Sequence, residues 1–146
     1  DFPSGHTCRR RLLEWDKRGV WRRLWQSLLA DLQAEGRLDW ERGVVDSSSV
    51  RADHGGERTG KSPVDRGKLG SKHHLLVEGR GVPLSISLTG ANRHDITQLL
   101  NLVESIPPVK GRRGRPRRKP KRGQGDRAYD SEPHRRALKK KGSSRS

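Results

Sequence analysis

Val44-Val45-Asp46-Ser47-Ser48-Ser49-Val50 is a short β-branched run ending on an acid and three hydroxyls. Branched side chains favour extended backbone, so the run reads as a strand. Downstream, His73-His74-Leu75-Leu76-Val77-Glu78 and Val82-Pro83-Leu84-Ser85-Ile86-Ser87-Leu88-Thr89 flank Gly79-Arg80-Gly81. The second run alternates at period two, with Val82, Leu84, Ile86 and Leu88 on one face and Ser85, Ser87 and Thr89 on the other. A three-residue connection containing glycine predicts an antiparallel hairpin. Pro83, near a strand start, is tolerated at a sheet edge. Residues 53–72 are rich in Gly, Pro, Lys and Arg and lack periodicity, so they read as a loop. Ile96, Leu99, Leu100, Leu102, Val103 and Ile106 then recur at helical spacing, with Asp95 as N-cap and Pro107-Pro108 as the stop.

Upstream, Val20, Trp21, Leu24, Trp25, Leu28, Leu29 and Leu32 form one helical face, ended by Gly36. Leu12, Leu13 and Trp15 belong to a shorter helix before the Lys17-Arg18-Gly19 break. The pair reads either as a DNA-binding helix-turn-helix or as an ordinary helical pair with its tryptophans in the core. Beyond the proline stop, Lys110–Arg122 carries nine cations and no acid. Within it Arg113-Gly114-Arg115-Pro116-Arg117 matches the core of the AT-hook, whose extended backbone lays arginines along a narrow minor groove. Arg112, Arg113, Arg115, Arg117 and Arg118 are therefore candidate DNA contacts; the alternative is a solvated, disordered run. Asp126 sits in a turn, Glu132–Lys141 reads as a helix with Pro133 in its first turn, and 142–146 read as a frayed tail.

This order predicts an α/β (α+β) fold with a mixed sheet. The expected organisation is a helical region over 1–42, two pieces of one sheet-bearing domain over 43–109 and 123–146, and a disordered basic insertion over 110–122. The 146 residues carry a net charge of +16 and are only 28% hydrophobic. No apolar run approaches the ~20 residues that a membrane span requires, so no membrane partner is expected. A single cysteine, Cys8, excludes a disulfide framework and multi-cysteine zinc modules. The chain contains no methionine, which reads as a fragment of a longer reading frame. No signal-peptide pattern opens it, so a cytoplasmic, nucleoid-associated setting is expected.

Asp46 and Asp126 are the candidate catalytic and metal-binding acids. A carboxylate aimed from a strand end into a cleft suits hard divalent cations, which leave positions open for phosphate oxygens. The alternative is that each is a turn or cap residue. Lys61, Arg66, Lys68 and Lys72 are candidate phosphate contacts. His54, His73, His74 and His94 have no zinc spacing and read as exposed strand and loop residues. Tyr129, beside Asp126, is read as packing or as stacking on a base.

Val45–Ala52, His54-Gly55-Gly56, Thr59–Lys68, Gly70–His74, Pro83-Leu84, Thr89–Asp95 and Asp126-Arg127-Ala128-Tyr129-Asp130-Ser131 together resemble the bacterial insertion-sequence DDE transposases of the insertion-sequence-five group. Trp15–Trp21 and Leu38-Asp39-Trp40 are similar to the helical lead-in of the same proteins. The resemblance implies a partial RNase H-like domain, two Mg²⁺ (or Mn²⁺) ions held by an Asp, Asp, Glu triad, and cleavage and strand transfer of double-stranded DNA at transposon ends and target. It implies self-association on DNA as well. Asp46 and Asp126 match the two triad aspartates, at the ends of the first and fourth strands. Glu132, six residues past Asp126, is too close in sequence to match the triad Glu. Lys121-Arg122-Gly123-Gln124-Gly125 departs from the apolar approach expected before the second Asp. The resulting expectation is a truncated transposase with little activity alone; a non-catalytic DNA-binding remnant and a basic RNA-binding protein are the alternatives.

Overall fold

The computed structural model describes residues 2–129 and 131–143. Asp130 of the resemblance motif and residues 144–146 of the expected tail lie outside them. Contacts divide the chain into two units, one of residues 1–37 with 108–117 and one of 38–107 with 118–146.

In the first unit, α1 (Gly5–Lys17) starts at Ser4, whose hydroxyl accepts the Thr7 N–H at 3.3 Å. Gly19, at φ 64°, makes the turn into α2 (Val20–Ala34). That helix closes with Gly36 N–H donating to Gln33 O at 3.1 Å and Arg37 N–H to Leu32 O at 2.9 Å. This paired arrangement needs the left-handed backbone that Gly36 supplies at φ 67°. The apolar face expected for α2 is only partly covered: Leu29 is buried, whereas Trp21, Leu24 and Leu28 stay exposed. Trp15 and Trp21 meet edge to face at 5.5 Å.

The basic segment is neither wholly irregular nor an extended arm. Val109 and Arg117 exchange two backbone hydrogen bonds, at 2.8 and 2.9 Å, and fold the chain between them into a loop. At its far end Arg122 already belongs to a strand.

In the second unit, β1 (Arg42–Arg51), β2 (Gly60–Lys61), β3 (Leu69–Glu78), β4 (Pro83–Gly90) and β5 (Arg122–Gly125) form one mixed sheet. Antiparallel pairing joins β4 to β3 and β3 to β1, and β5 adds to β1 in parallel. The two residues of β2 pair with β3 opposite β1. Residues 60–61 and 69–72, read from sequence as loop, are thus strand, recruited by backbone pairing despite weak local propensity. Between β4 and β5 lies α3 (Ile96–Ser105); a 3₁₀ turn (Arg127–Tyr129) and α4 (Glu132–Ser143) follow β5.

The inner face of the sheet carries Val45, Leu76 and Leu84, which join Leu102, Ile106 and Tyr129 in the core. On β4 the serines, not the alternate apolar residues, turn inward. Ser85 is paired with inward-facing Leu76 and is buried, while Ile86 is 64% exposed. Leu84 nevertheless reaches full burial, because the register shifts between Leu76 and Val77 and inserts one residue. Ser87 donates to Gln98 Oε1 of α3 at 2.9 Å. No helix among the described residues is long and apolar enough to cross a membrane.

Candidate catalytic site

Register sets side by side the two strand segments that lead into the aspartates. In the parallel β1–β5 ladder Arg42 pairs with Arg122, Gly43 with Gly123, Val44 with Gln124 and Val45 with Gly125. Asp46 is the next residue on β1, and Asp126 is the first residue beyond the end of β5. Asp46 lies in the middle of β1 rather than at a strand end, because β1 runs on to Arg51 to pair with β3. Its side chain is exposed, and its Oδ1 accepts the Ser47 N–H at 2.7 Å.

The strand before Asp126 forms despite its composition. Lys121 N–H donates to Trp40 O at 2.8 Å and Arg122 N–H to Glu41 O at 3.1 Å, which starts the ladder. Pro120 fits over Gly43, where a Cβ would stand 2.6 Å from its Cγ. Gly125 leaves room for the Tyr129 ring in the same way, since a Cβ there would lie 3.1 Å from the Tyr129 Cβ. The 3₁₀ turn, closed by Tyr129 N–H on Asp126 O at 3.1 Å, carries that ring back over β5.

Tyr129 is buried and packs; of the two readings made for it, packing is the one observed. Burial pushes its phenol above the ordinary range, Ser47 opposes this by a hydrogen-bonding interaction, and the charges of Asp95, Asp46 and Asp126 add to the rise. The hydroxyl is enclosed without a hydrogen bond of good geometry, so the interaction with Ser47 is a weak one. Tyr129 thus lies within electrostatic reach of both candidate acids.

A second polar cluster holds α3 against the sheet. Lys72 Nζ donates to Asp95 Oδ1 at 2.9 Å and to Arg93 O at 3.0 Å. His74, fully buried, bonds Thr89 Oγ1 through Nε2 at 2.8 Å and has its Nδ1 3.6 Å from Asp95 Oδ1. His74 therefore departs from the exposed position expected of it: it pairs with Ser47 on the inner face of the central strands. Asp95 does precede α3, but its carboxylate faces the Lys72 ammonium and the His74 ring instead of capping the helix.

The predicted phosphate contacts divide by environment. Lys61, Arg66 and Lys68 are exposed around a turn in which Lys68 N–H donates to Asp65 O at 2.9 Å. Arg66 at φ 50° and Gly67 at φ 73° form the centre of that turn. Arg51 grips Asp65 through two bonds at 2.5 and 3.0 Å, which holds the Asp65 carboxyl below its ordinary range. Lys72 is largely buried in its ion pair. Arg112, Arg113, Arg115, Arg117 and Arg118 are all exposed.

Sequence reasoning missed Glu78. Fully buried, its carboxylate accepts the N–H groups of Arg80 and Val82, both at 2.9 Å, and of Asp39. It closes the β3–β4 turn and ties the start of the unit to it. An acid directly before Gly79-Arg80-Gly81 was the available signal, since such turns expose unpaired N–H groups. Among the described residues no group of three or more His, Cys, Asp or Glu could hold a metal ion.

A mixed sheet whose first strand carries Asp46 and whose parallel neighbour leads into Asp126 is consistent with a partial RNase H-like transposase domain. The family described as "Transposase DDE domain" matches residues 40–145, and the chain belongs to it. Within that family it is 51% identical over 88 residues to the "Putative transposase for insertion sequence element IS402" of Burkholderia cepacia, covering 60% of this chain and 42% of the relative. It is also 50% identical over 60 residues to the "Insertion element IS402 uncharacterized 16.2 kDa protein" of the same organism, covering 41% of each. The chain thus spans about two fifths of the length of these curated relatives. No solved structure matches it.

Proposed function

We propose that this chain carries two of the carboxylates with which an insertion-sequence transposase cleaves DNA phosphodiester bonds and transfers the freed 3′ end to target DNA. The observation that carries the reading is the parallel register that pairs Val45 with Gly125, the residues immediately before Asp46 and Asp126. Two exposed-face carboxylates supply hard oxygen donors, which suits Mg²⁺ or Mn²⁺ and leaves coordination positions for water and phosphate. Asp46 and Asp126 would hold the ion, which when bound neutralises phosphate charge and acidifies its water. The Ser47 N–H restrains rotation of the Asp46 carboxylate, while Tyr129 and Gly125 set where the chain turns at Asp126. Lys61, Arg66 and Lys68 attract the duplex backbone. Transposon ends and target are the substrates, copies of the chain assemble on them, and the setting is the bacterial nucleoid.

The lack of a third ligand among the described residues favours a second reading, a DNA-binding chain that turns over little or nothing alone. Two measurements separate the readings. Mn²⁺ binding, followed by loss of the free-ion electron paramagnetic resonance signal, should weaken at least about tenfold in Asp46→Asn and in Asp126→Asn. Mg²⁺-dependent nicking of labelled terminal-repeat DNA, where present, should vanish in both variants. Unchanged Mn²⁺ binding in both would overturn the site assignment; metal binding without nicking by the unaltered chain selects the second reading.

A further inference from the structure

We infer that Val109–Arg117 is a closed arginine loop that seats on the backbone phosphates of duplex DNA. The sequence match is to an arm that lies extended along a groove, and nine extended residues would span about 30 Å. Here the two ends exchange a pair of backbone hydrogen bonds, which brings them to within about 5.5 Å. Lys110, Arg112, Arg113, Arg115 and Arg117 are thereby gathered on one small loop with no acid in it. None of the four arginines is in an ion pair among the described residues.

The stem is anchored and the tip is free. Val109 is buried, and Gly111 lies so close to α2 that a Cβ on it would stand 3.2 Å from Gln33 Cγ. At the tip Gly114 takes φ 92°, which side chains rarely adopt, and a Cβ there would meet nothing within 4 Å. A dense, preorganised set of guanidinium groups matches closely spaced phosphate charges and gives salt-sensitive, sequence-independent binding. The inference shares with the proposed function only the choice of polymer.

The test is fluorescence anisotropy of the whole chain with mixed-sequence duplex DNA across a salt series. It is run in EDTA, so metal-dependent cutting contributes nothing and loss of the loop's phosphate contacts leaves the metal-site assignment standing. The triple change Arg112→Gln, Arg113→Gln, Arg115→Gln should lower the slope of log K against log salt by about 3. Gly114→Val keeps every charge and has space to fold, yet it cannot hold the tip conformation; it should weaken binding about tenfold. Wild-type affinity in Gly114→Val would overturn the closed loop in favour of an extended arm. An unchanged slope in the triple variant, or tighter binding to structured RNA than to the duplex, would overturn the phosphate site or the choice of polymer.

Discussion

His74 sits where two opposing influences meet. Burial pushes its imidazole below the ordinary range, Asp95 pulls it upward, and Lys72 and His73 reinforce burial; the net direction is down. The unfolded chain therefore binds this proton more readily than the folded one. The corresponding stability is present above the ordinary value of 6.5 and is lost as pH falls through the depressed folded value. The thermal midpoint should decline on acidification from about pH 6.5, and His74→Gln should flatten that decline. An identical acid profile in the variant would show that other groups carry it. Asp46 and Asp126 stand out in the sequence because each contrasts with its own neighbours. Lys72 and His74 do not, since their partner Asp95 lies more than twenty residues away and reads locally as a helix cap.

At the scale of elements, β5 is the informative strand. Its residues, Arg122-Gly123-Gln124-Gly125, have almost no strand propensity, and only the resemblance to a known family anticipated it. What forms it is context: the ladder to β1, and Pro120 fitted over Gly43. Gly43→Val should strike Pro120 and destabilise the unit by about 1–3 kcal/mol in chemical denaturation. It should also weaken Mn²⁺ binding without touching either carboxylate. Full metal affinity in that variant would mean that β5 holds Asp126 without the Gly43–Pro120 fit. The β3–β4 hairpin was legible from glycine and alternation. Its inward face was not, because period two defines two faces without saying which one a helix will cover.

For the whole molecule, charge is the dominant global term. At +16 over 146 residues, like-charge repulsion opposes folding and added salt screens it. The thermal midpoint should therefore rise between low and physiological ionic strength; a fall would mean that surface ion pairs such as Arg51–Asp65 outweigh the repulsion. Composition located the basic segment but could not reveal that 108–117 groups with the helices while 118–146 groups with the sheet. That division depends on packing partners distant in sequence, which no local pattern encodes.

The parallel β1–β5 pairing also bears on biosynthetic timing. A ribosome delivers β1, β3 and β4 first, and these can zip together as antiparallel neighbours as they emerge. Asp126 follows Asp46 by 80 residues, and β5 reaches β1 only after the crossover through α3 and the arginine loop has been made. A nascent polypeptide halted anywhere short of that crossover carries β1 without its parallel neighbour.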